Sequence, residues 1–351
     1  MQAARRAAID ARRAHYRALS ADGLAPFFEA PRTDCPSCGD GGLERLLRAP
    51  DRFQRKPGRF ELNRCRACGL VFQNPRLTGR GLEYYYGDFY EGVGAQASEQ
   101  YYQLGSAIKR RQARRVTGLA EPRRWLDVGG GNGSFCQLAA EVWPETAFEV
   151  LDTSSLVHDA VSQGRASRVH QGSLVDLASF LQGRFDVVTM HHYLEHTLDP
   201  DAEIECARTV LAPGGVLVIE VPDPESRFGL LVKSYWWQWL QPQHLHLFPA
   251  SALTALVERH GLEAVSLERG AAHVPVDLVS STLLVALGLA PPPVAPWNSV
   301  PAGWRSVARG LILAAFAPLL LIAAAADAVW APIARRGHRL SNMYAVIARR
   351  G

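Results

Sequence analysis

The chain has 351 residues, more than one typical domain, so two folding units are expected. It is 48% hydrophobic with both charge signs well represented, the composition of a globular protein with a substantial core. Its formal net charge of +4 does not call for a strongly polyanionic partner.

Basic residues gather near the N-terminus in "RRAAIDARRAHYR", Arg5 to Arg17, at helical spacing. Residues 1–32 are therefore read as a solvated basic helix, in preference to an arm gripping nucleic acid or lipid headgroups. No apolar run follows Met1 as a secretory signal would, so a cytoplasmic location is expected, at most peripheral at the inner face of the membrane. In such a compartment, six cysteines point to metal binding or buried thiols before disulfides.

Four of them form two knuckles, "CPSCG" with Cys35 and Cys38 and "CRACG" with Cys65 and Cys68, separated by the length of a small hairpin. This is the spacing of a zinc ribbon, assigned to 33–75. Four thiolates fill a tetrahedral ion's coordination sphere, so the expected zinc is structural, and it supplies the folding energy that so short a segment lacks. Cys136 and Cys206 fall in helical patterns and are read as buried apolar residues. Nucleic-acid binding by the ribbon is disfavoured, because Glu44, Asp51 and Glu61 interrupt its basic stretch and no series of aromatics accompanies it.

A Tyr-rich helical linker, 76–118, leads to alternating strand and helix patterns. "RWLDVGG", "AFEVLD", "RFDVVTMHH" and "GGVLVIEVP" read as buried parallel strands, with helices such as "DAEIECARTVL" between them. Ligands in such sheets lie at the carboxyl ends of the strands. The first strand ends in "LDVGGGNGSF", where Asp127 precedes Gly129, Gly131 and Gly133. Glycine lets the backbone turn sharply and approach a ligand closely. A dinucleotide loop would place its third glycine at Ser134 and would not need the acid, which suits a cationic or amino-bearing ligand better than a pyrophosphate. The second strand ends in Asp152, placed to accept both ribose hydroxyls of an adenosine.

The fourth strand delivers "HHYLEHTLDP" to the same end, bringing His191, His192, Tyr193, Glu195 and His196 beside that ligand. Glu195 next to His196 is the best acid/base pair, since an imidazole titrates near neutrality and a carboxylate orients it. The competing reading has both residues only cap a helix and brace the loop. Further on, "SYWWQWLQPQHLHLF" carries Trp236, Trp237, His244 and His246. It is read either as a lid that shields and binds an acceptor or as aromatic filling beneath a long connection. The spacing of the two histidines, without a neighbouring acid, disfavours a metal pair.

"EAVSLER" (263–269) and "NMYAVIARR" (342–350) have the alternation of two paired closing strands, so 270–339 is a hydrophobic insertion between them. It holds two apolar stretches, 274–290 and 311–334, with arginines at 305, 309, 335, 336 and 339. A single crossing would strand the last strand beyond the bilayer, and both stretches are short for spans. The readings left are a helical hairpin lying on a membrane and a hydrophobic pair packed on the catalytic domain or in a homodimer interface, with a two-pass hairpin disfavoured.

Together, "LDVGGGNG", "VLDTS", "FDVVTMHHYLEHTLDP", "LAPGGVLVIEVP" and "HLHLFPASALTALVERHGLEAVSLER" resemble class I S-adenosylmethionine-dependent methyltransferases. The ribbon followed by "GLVFQNPRL" resembles the bacterial small-molecule group that includes sugar C-methyltransferases. The resemblance implies a Rossmann-like seven-stranded α/β sheet over 119–269 and 340–351 with helices on both faces. It also implies S-adenosylmethionine at Asp127, the glycines, Asp152, Ser173 and His191, and catalysis by Tyr193, Glu195 and His196. Two departures stand out. Ser173 occupies a position that often carries an acid near the adenine, and the large C-terminal domain of the sugar enzymes has no counterpart, so their substrate is not carried over. The expected activity is methyl transfer to an oxygen or carbon of a small sugar, polyketide or lipid-like molecule. RNA methylation through the ribbon, or a non-catalytic binding protein on the same fold, are the alternatives.

Overall fold

Met1–Ser98, Glu225–Leu245 and Pro275–Ala334 gather into one unit, and Glu99–Pro224, His246–Val274 and Arg335–Gly351 into a second. The computed structural model describes residues 2–87, 105–298, 303–336 and 339–351; the Tyr-rich stretch 88–104 expected in the linker lies outside the described residues.

In the first unit, β1 (Leu43–Ala49), β2 (Phe60–Cys65) and β3 (Val71–Gln73) form an antiparallel meander. The tight turns at Cys35–Gly39 and Cys65–Gly69 project the four thiols from its end. The helix Gln2–Leu19 is not solvated on all sides: Ile9 and Tyr16 are buried, and Tyr16 packs edge-on against Tyr84 and Trp297. Phe27, Phe60, Leu77, Tyr85 and Leu245 complete this aromatic core. Beside it, the buried Lys56 ammonium donates to the carbonyls of Tyr84 and Gly87, both at 2.6 Å. Those carbonyls end the helix Gly79–Tyr86, whose last turn lacks intrahelical partners, so the lysine acts as its C-terminal cap. Burial pulls the Lys56 pKa down to about 7 against the attraction of Asp51.

The insertion contributes a helical hairpin to this unit, a short arm Asp277–Leu289 and a long arm Gly303–Arg336. Asp327 of the long arm is fully buried and accepts from the backbone N–H groups of Leu278 and Val279, both at 2.9 Å. It thereby satisfies two of the donors that open the short arm.

The second unit is a seven-stranded sheet in the order β10-β11-β8-β7-β4-β5-β6. Its members are β4 (Arg124–Val128), β5 (Ala147–Asp152), β6 (Arg168–Gln171), β7 (Phe185–His191), β8 (Leu211–Pro222), β10 (Leu262–Glu268) and β11 (Met343–Arg350). The two-residue β9 (His246–Leu247) stands outside this sheet. β11 pairs antiparallel with both β10 and β8, and the remaining pairs are parallel. This is the expected Rossmann-like sheet with an apolar helix before the last strand. Trp125, Phe148, Val150, Val187 and Val218 fill its core, with Cys136 fully buried among them. The chain's order reverses on either side of β4, which places a crevice at the carboxyl ends of β4, β5 and β7.

Candidate active site

After its opening Arg124, β4 is apolar except for Asp127 near its carboxyl end, and that side chain is fixed from β7. The Thr189 hydroxyl donates to Asp127 Oδ1 at 2.7 Å while accepting from the Trp125 indole N–H at 3.1 Å. The loop beyond β4 then turns through left-handed backbone at Gly129 (φ 73°) and Gly133 (φ 74°). A Cβ at Gly129 would stand 2.6 Å from the Tyr193 ring, and one at Gly130 would stand 2.6 Å from Asp127 Oδ2. The bare backbone is what lets this loop close on its neighbours. Across the crevice, Asp152 Oδ2 accepts from the Gly131 N–H at 2.9 Å, and its Oδ1 accepts from Ser154 N–H at 2.8 Å. The carboxylate at the end of β5 therefore holds the glycine loop in place.

His191 ends β7 with its ring against Phe135 and its Nδ1 3.6 Å from Asp127 Oδ1. Both ring nitrogens are buried without a hydrogen bond to protein, an arrangement that suits a ligand bearing polar groups. Ser173 stands at the carboxyl side of β6 and caps the helix Leu174–Leu177, and its hydroxyl lies 2.5 Å from Asp176 Oδ2.

The 3-10 turn Leu194–His196 follows. Glu195 is fully buried, and its Oε1 meets His192 Nδ1 at 3.2 Å. The sequence reading pairs Glu195 with His196, whose ring lies within 4.8 Å of the carboxylate; Glu195 also bonds His192, a residue with left-handed backbone (φ 53°). Burial opposes charge on His192, but the hydrogen bond and charge of Glu195, with Glu220 behind, hold its pKa above the ordinary imidazole value. His196 is half-buried at the end of the turn. Tyr193 does not present a titrating hydroxyl: it donates to Glu203 Oε2 at 3.0 Å, and burial pushes the phenol far up. Burial likewise raises Glu203 to about 7.

Behind the turn, Arg115 forms an ion pair with Glu220 and a second with Glu268 at 3.2 Å, and Gln112 donates to Glu220 Oε1. Lys109 donates to Ser134 at 2.7 Å beside the glycine loop; burial lowers it to about 8 against the pull of Asp127.

Sequence reasoning missed Thr189, Glu203, Arg115, Glu220 and Lys109. Three carried a signal: Thr189 interrupts the apolar run Val187–Met190, Glu220 is the sole charged residue of β8, and Glu203 falls on the apolar stripe of its helix with Ala207 and Val210. Lys109 and Arg115 carried none, being two among many basic residues of a polar segment.

The proposed acceptor residues divide between the units. In the first, Trp236 is buried edge-on against Trp239, Trp237 packs on Phe53, and His244 Nδ1 bonds the Gln238 carbonyl at 2.7 Å. In the second, His246 Nδ1 bonds the Thr197 carbonyl at 3.1 Å, just past the Leu194–His196 turn. The four ribbon thiols lie within 4.8 Å of one another, with Cys35 and Cys68, and Cys38 and Cys65, each 3.6 Å apart.

Residues 97–267 match the family model described as a methyltransferase domain. A ubiquinone biosynthesis O-methyltransferase of Bordetella avium is 24% identical over 175 residues, covering 47% of this chain and 72% of its own length. One of Xanthomonas axonopodis pv. citri is 36% identical over 111 residues, 30% of this chain and 46% of its own, so the chain spans less than half of that relative. A solved S-adenosylmethionine-dependent methyltransferase from Archaeoglobus fulgidus aligns over 75% of this chain and 100% of its own at 18% identity, with a TM-score of 0.45. The chain carries a methyltransferase domain over 97–267. It is an enzyme of the S-adenosylmethionine-dependent methyltransferase class.

Proposed function

We propose that the protein methylates an oxygen atom of a hydroxyl-bearing small molecule and that a structural zinc ion braces its ribbon. The observation that carries the reading is the convergence of Asp127, the glycine loop, Asp152 and the His191–His196 turn at the carboxyl ends of adjacent strands. Oxygen is preferred over carbon because the curated relatives are named as O-methyltransferases of ubiquinone biosynthesis. S-adenosylmethionine, when bound, supplies a methyl group already activated by its sulfonium.

The protein's part is to hold donor and acceptor in line and to take a proton. Asp152 accepts the ribose hydroxyls, and Asp127 with His191 faces the amino-acid end. Ser173, with Asp176 held against its hydroxyl, edges the adenine side. His196 takes the acceptor's proton, while the Glu195–His192 pair fixes the turn that presents it. Tyr193 acts by position, its ring closing over Gly129 and its hydroxyl tied to Glu203. His246, bonded to the Thr197 carbonyl, shapes the acceptor's surroundings within this unit.

The thiol geometry fits zinc. A tetrahedral ion with Zn–S bonds of about 2.3 Å sets its sulfurs about 3.8 Å apart, close to the two short separations of 3.6 Å. Cys35, Cys38, Cys65 and Cys68 would hold the ion and leave no open position for chemistry.

Transfer of labelled methyl to a panel of phenols and hydroxylated sugars tests the reading. With an accepted substrate, His196→Ala is expected to lower kcat by ~100-fold, the usual contribution of a general base, with cofactor binding unchanged. Unaltered turnover in that variant would remove His196 as the base.

A further inference from the structure

The long arm of the insertion does not behave as a core helix. Over its 34 residues only Ala323, Asp327, Ala331 and Ala334 are buried, a single stripe at helical spacing. Its large apolar side chains stand in solvent: Val307, Leu311, Leu321, Ile322 and Val329 are each 63 to 74% exposed. At about 100° per residue, these five fall within roughly a 100° arc on the side opposite the buried stripe. Asp327 is the helix's sole acid and is fully buried under the short arm. From Val307 to Ile333 the exposed face is therefore hydrocarbon without a charged side chain, and Arg336 closes it, a face larger than a monomeric protein ordinarily leaves in water.

Charge and anchoring decide the occupant. Trp304 and Arg305 are exposed at the start of the helix, and Arg335 and Arg336 are exposed at its end. Basic and indole groups at the ends of an apolar face match the headgroup layer of an anionic membrane. The helix is tied to the first unit at two separate points. Arg309 Nη1 donates to the Pro291 carbonyl at 2.8 Å, and Asp327 holds the start of the short arm. Beyond Pro291, Trp297 packs on Tyr16 and donates to the Gln54 carbonyl at 2.9 Å, and Arg13 donates to the Asn298 carbonyl at 2.7 Å. A helix pinned to one folded body at residues 309 and 327, some 27 Å apart along its axis, lies along a surface. The short arm, 13 residues or about 20 Å, is too short to return a chain across the ~30 Å hydrocarbon core.

We propose that the exposed face of Gly303–Arg336 inserts in the plane of an anionic lipid surface, making the protein a peripheral membrane enzyme. The arc of Val307, Leu311, Leu321, Ile322 and Val329 enters the acyl boundary, and the arginines lie at headgroup level. This placement does not depend on which acceptor is methylated.

Flotation of the full chain with vesicles tests it, comparing phosphatidylcholine alone with an equal mixture of phosphatidylcholine and phosphatidylglycerol. The protein is expected to float with the mixed vesicles and at least ~10-fold less with neutral ones, and the charge-dependent part should fade with added salt. Leu321→Glu with Ile322→Glu is expected to abolish flotation while leaving the thermal transition in place, since both side chains are exposed. Should that variant misfold, hydrogen exchange of the unsubstituted protein decides: mixed vesicles are expected to slow exchange across 311–333. Two results would overturn the proposal. One is an unsubstituted protein that stays with the soluble fraction and shows no added protection. The other is a vesicle-free dimer that the double substitution converts to a monomer, which would assign the face to a second copy.

Discussion

The two units are held together in different ways. In the second, one sheet collects every strand from β4 to β8 with β10 and β11, and its polar groups are absorbed into networks that cross that sheet, such as Thr189 with Asp127 and Arg115 with Glu220 and Glu268. In the first, three stretches distant in sequence meet around a small meander and are fastened at points: four thiols, the Lys56 ammonium on two carbonyls, and Asp327 on the short arm. A continuous sheet spreads the loss of one contact over many neighbours. A point anchor concentrates it, so single removals are expected to act more abruptly in the first unit, and the contrast can be broken or sharpened accordingly.

The largest effect is expected at the thiols. Structural zinc in small modules contributes on the order of 10 kcal/mol, more than a meander of this size gains by burial. Prolonged chelation, or Cys65→Ser, is expected to unfold 33–75, read as loss of amide protection there, while the second unit keeps its thermal transition. Equal loss of protection in both units would erase the distinction.

Next comes Arg115→Ala in the second unit. It strands Glu220, 1% exposed, without its guanidinium partner, and breaking such a buried pair costs about 3–5 kcal/mol. Denaturant melts should shift by that amount with the sheet still folding cooperatively.

The smallest of the three concerns Glu203, raised by burial to about 7 from its ordinary value near 4.5. The folded state then holds a proton that the unfolded chain has released, so stability falls as pH rises from about 4.5 to about 7, by up to about 3 kcal/mol. Glu203→Gln should flatten that interval. A slope that persists unchanged in the variant would place the proton elsewhere.

Six of the seven strands were legible, four as apolar runs between turn signals and the closing pair at 263–269 and 342–350 by alternation, whereas β6, "RVHQ", has a single apolar residue and gave no such signal. The glycine loop was legible because Asp127, three glycines and Asp152 occur in a register that few other uses of glycine produce. What pairs with what was not. Glu195 lies within 4.8 Å of His196, as its position suggests, but its hydrogen bond to His192 was not legible, because His192 is left-handed and sequence adjacency does not report φ. Nor did the sequence show that the Tyr193 hydroxyl donates a hydrogen bond to Glu203, ten positions on. The N-terminal helix reads as solvated because its basic residues dominate the count, although Ile9 and Tyr16 alone define a buried face. The apolar stretch at 311–334 announced a hydrophobic insertion but not its exposure, which depends on the narrow stripe of alanines that packs.

The central claim is that the carboxyl ends of β4, β5 and β7 form an S-adenosylmethionine site in which Asp152 holds both the glycine loop and the ribose. Isothermal titration of the full chain with S-adenosylmethionine, beside Asp152→Ala, addresses it most directly. One site per chain is expected, weakened at least ~10-fold in the variant by loss of charge-assisted hydrogen bonds. No binding to the unsubstituted protein, or equal affinity in a folded variant, would contradict it.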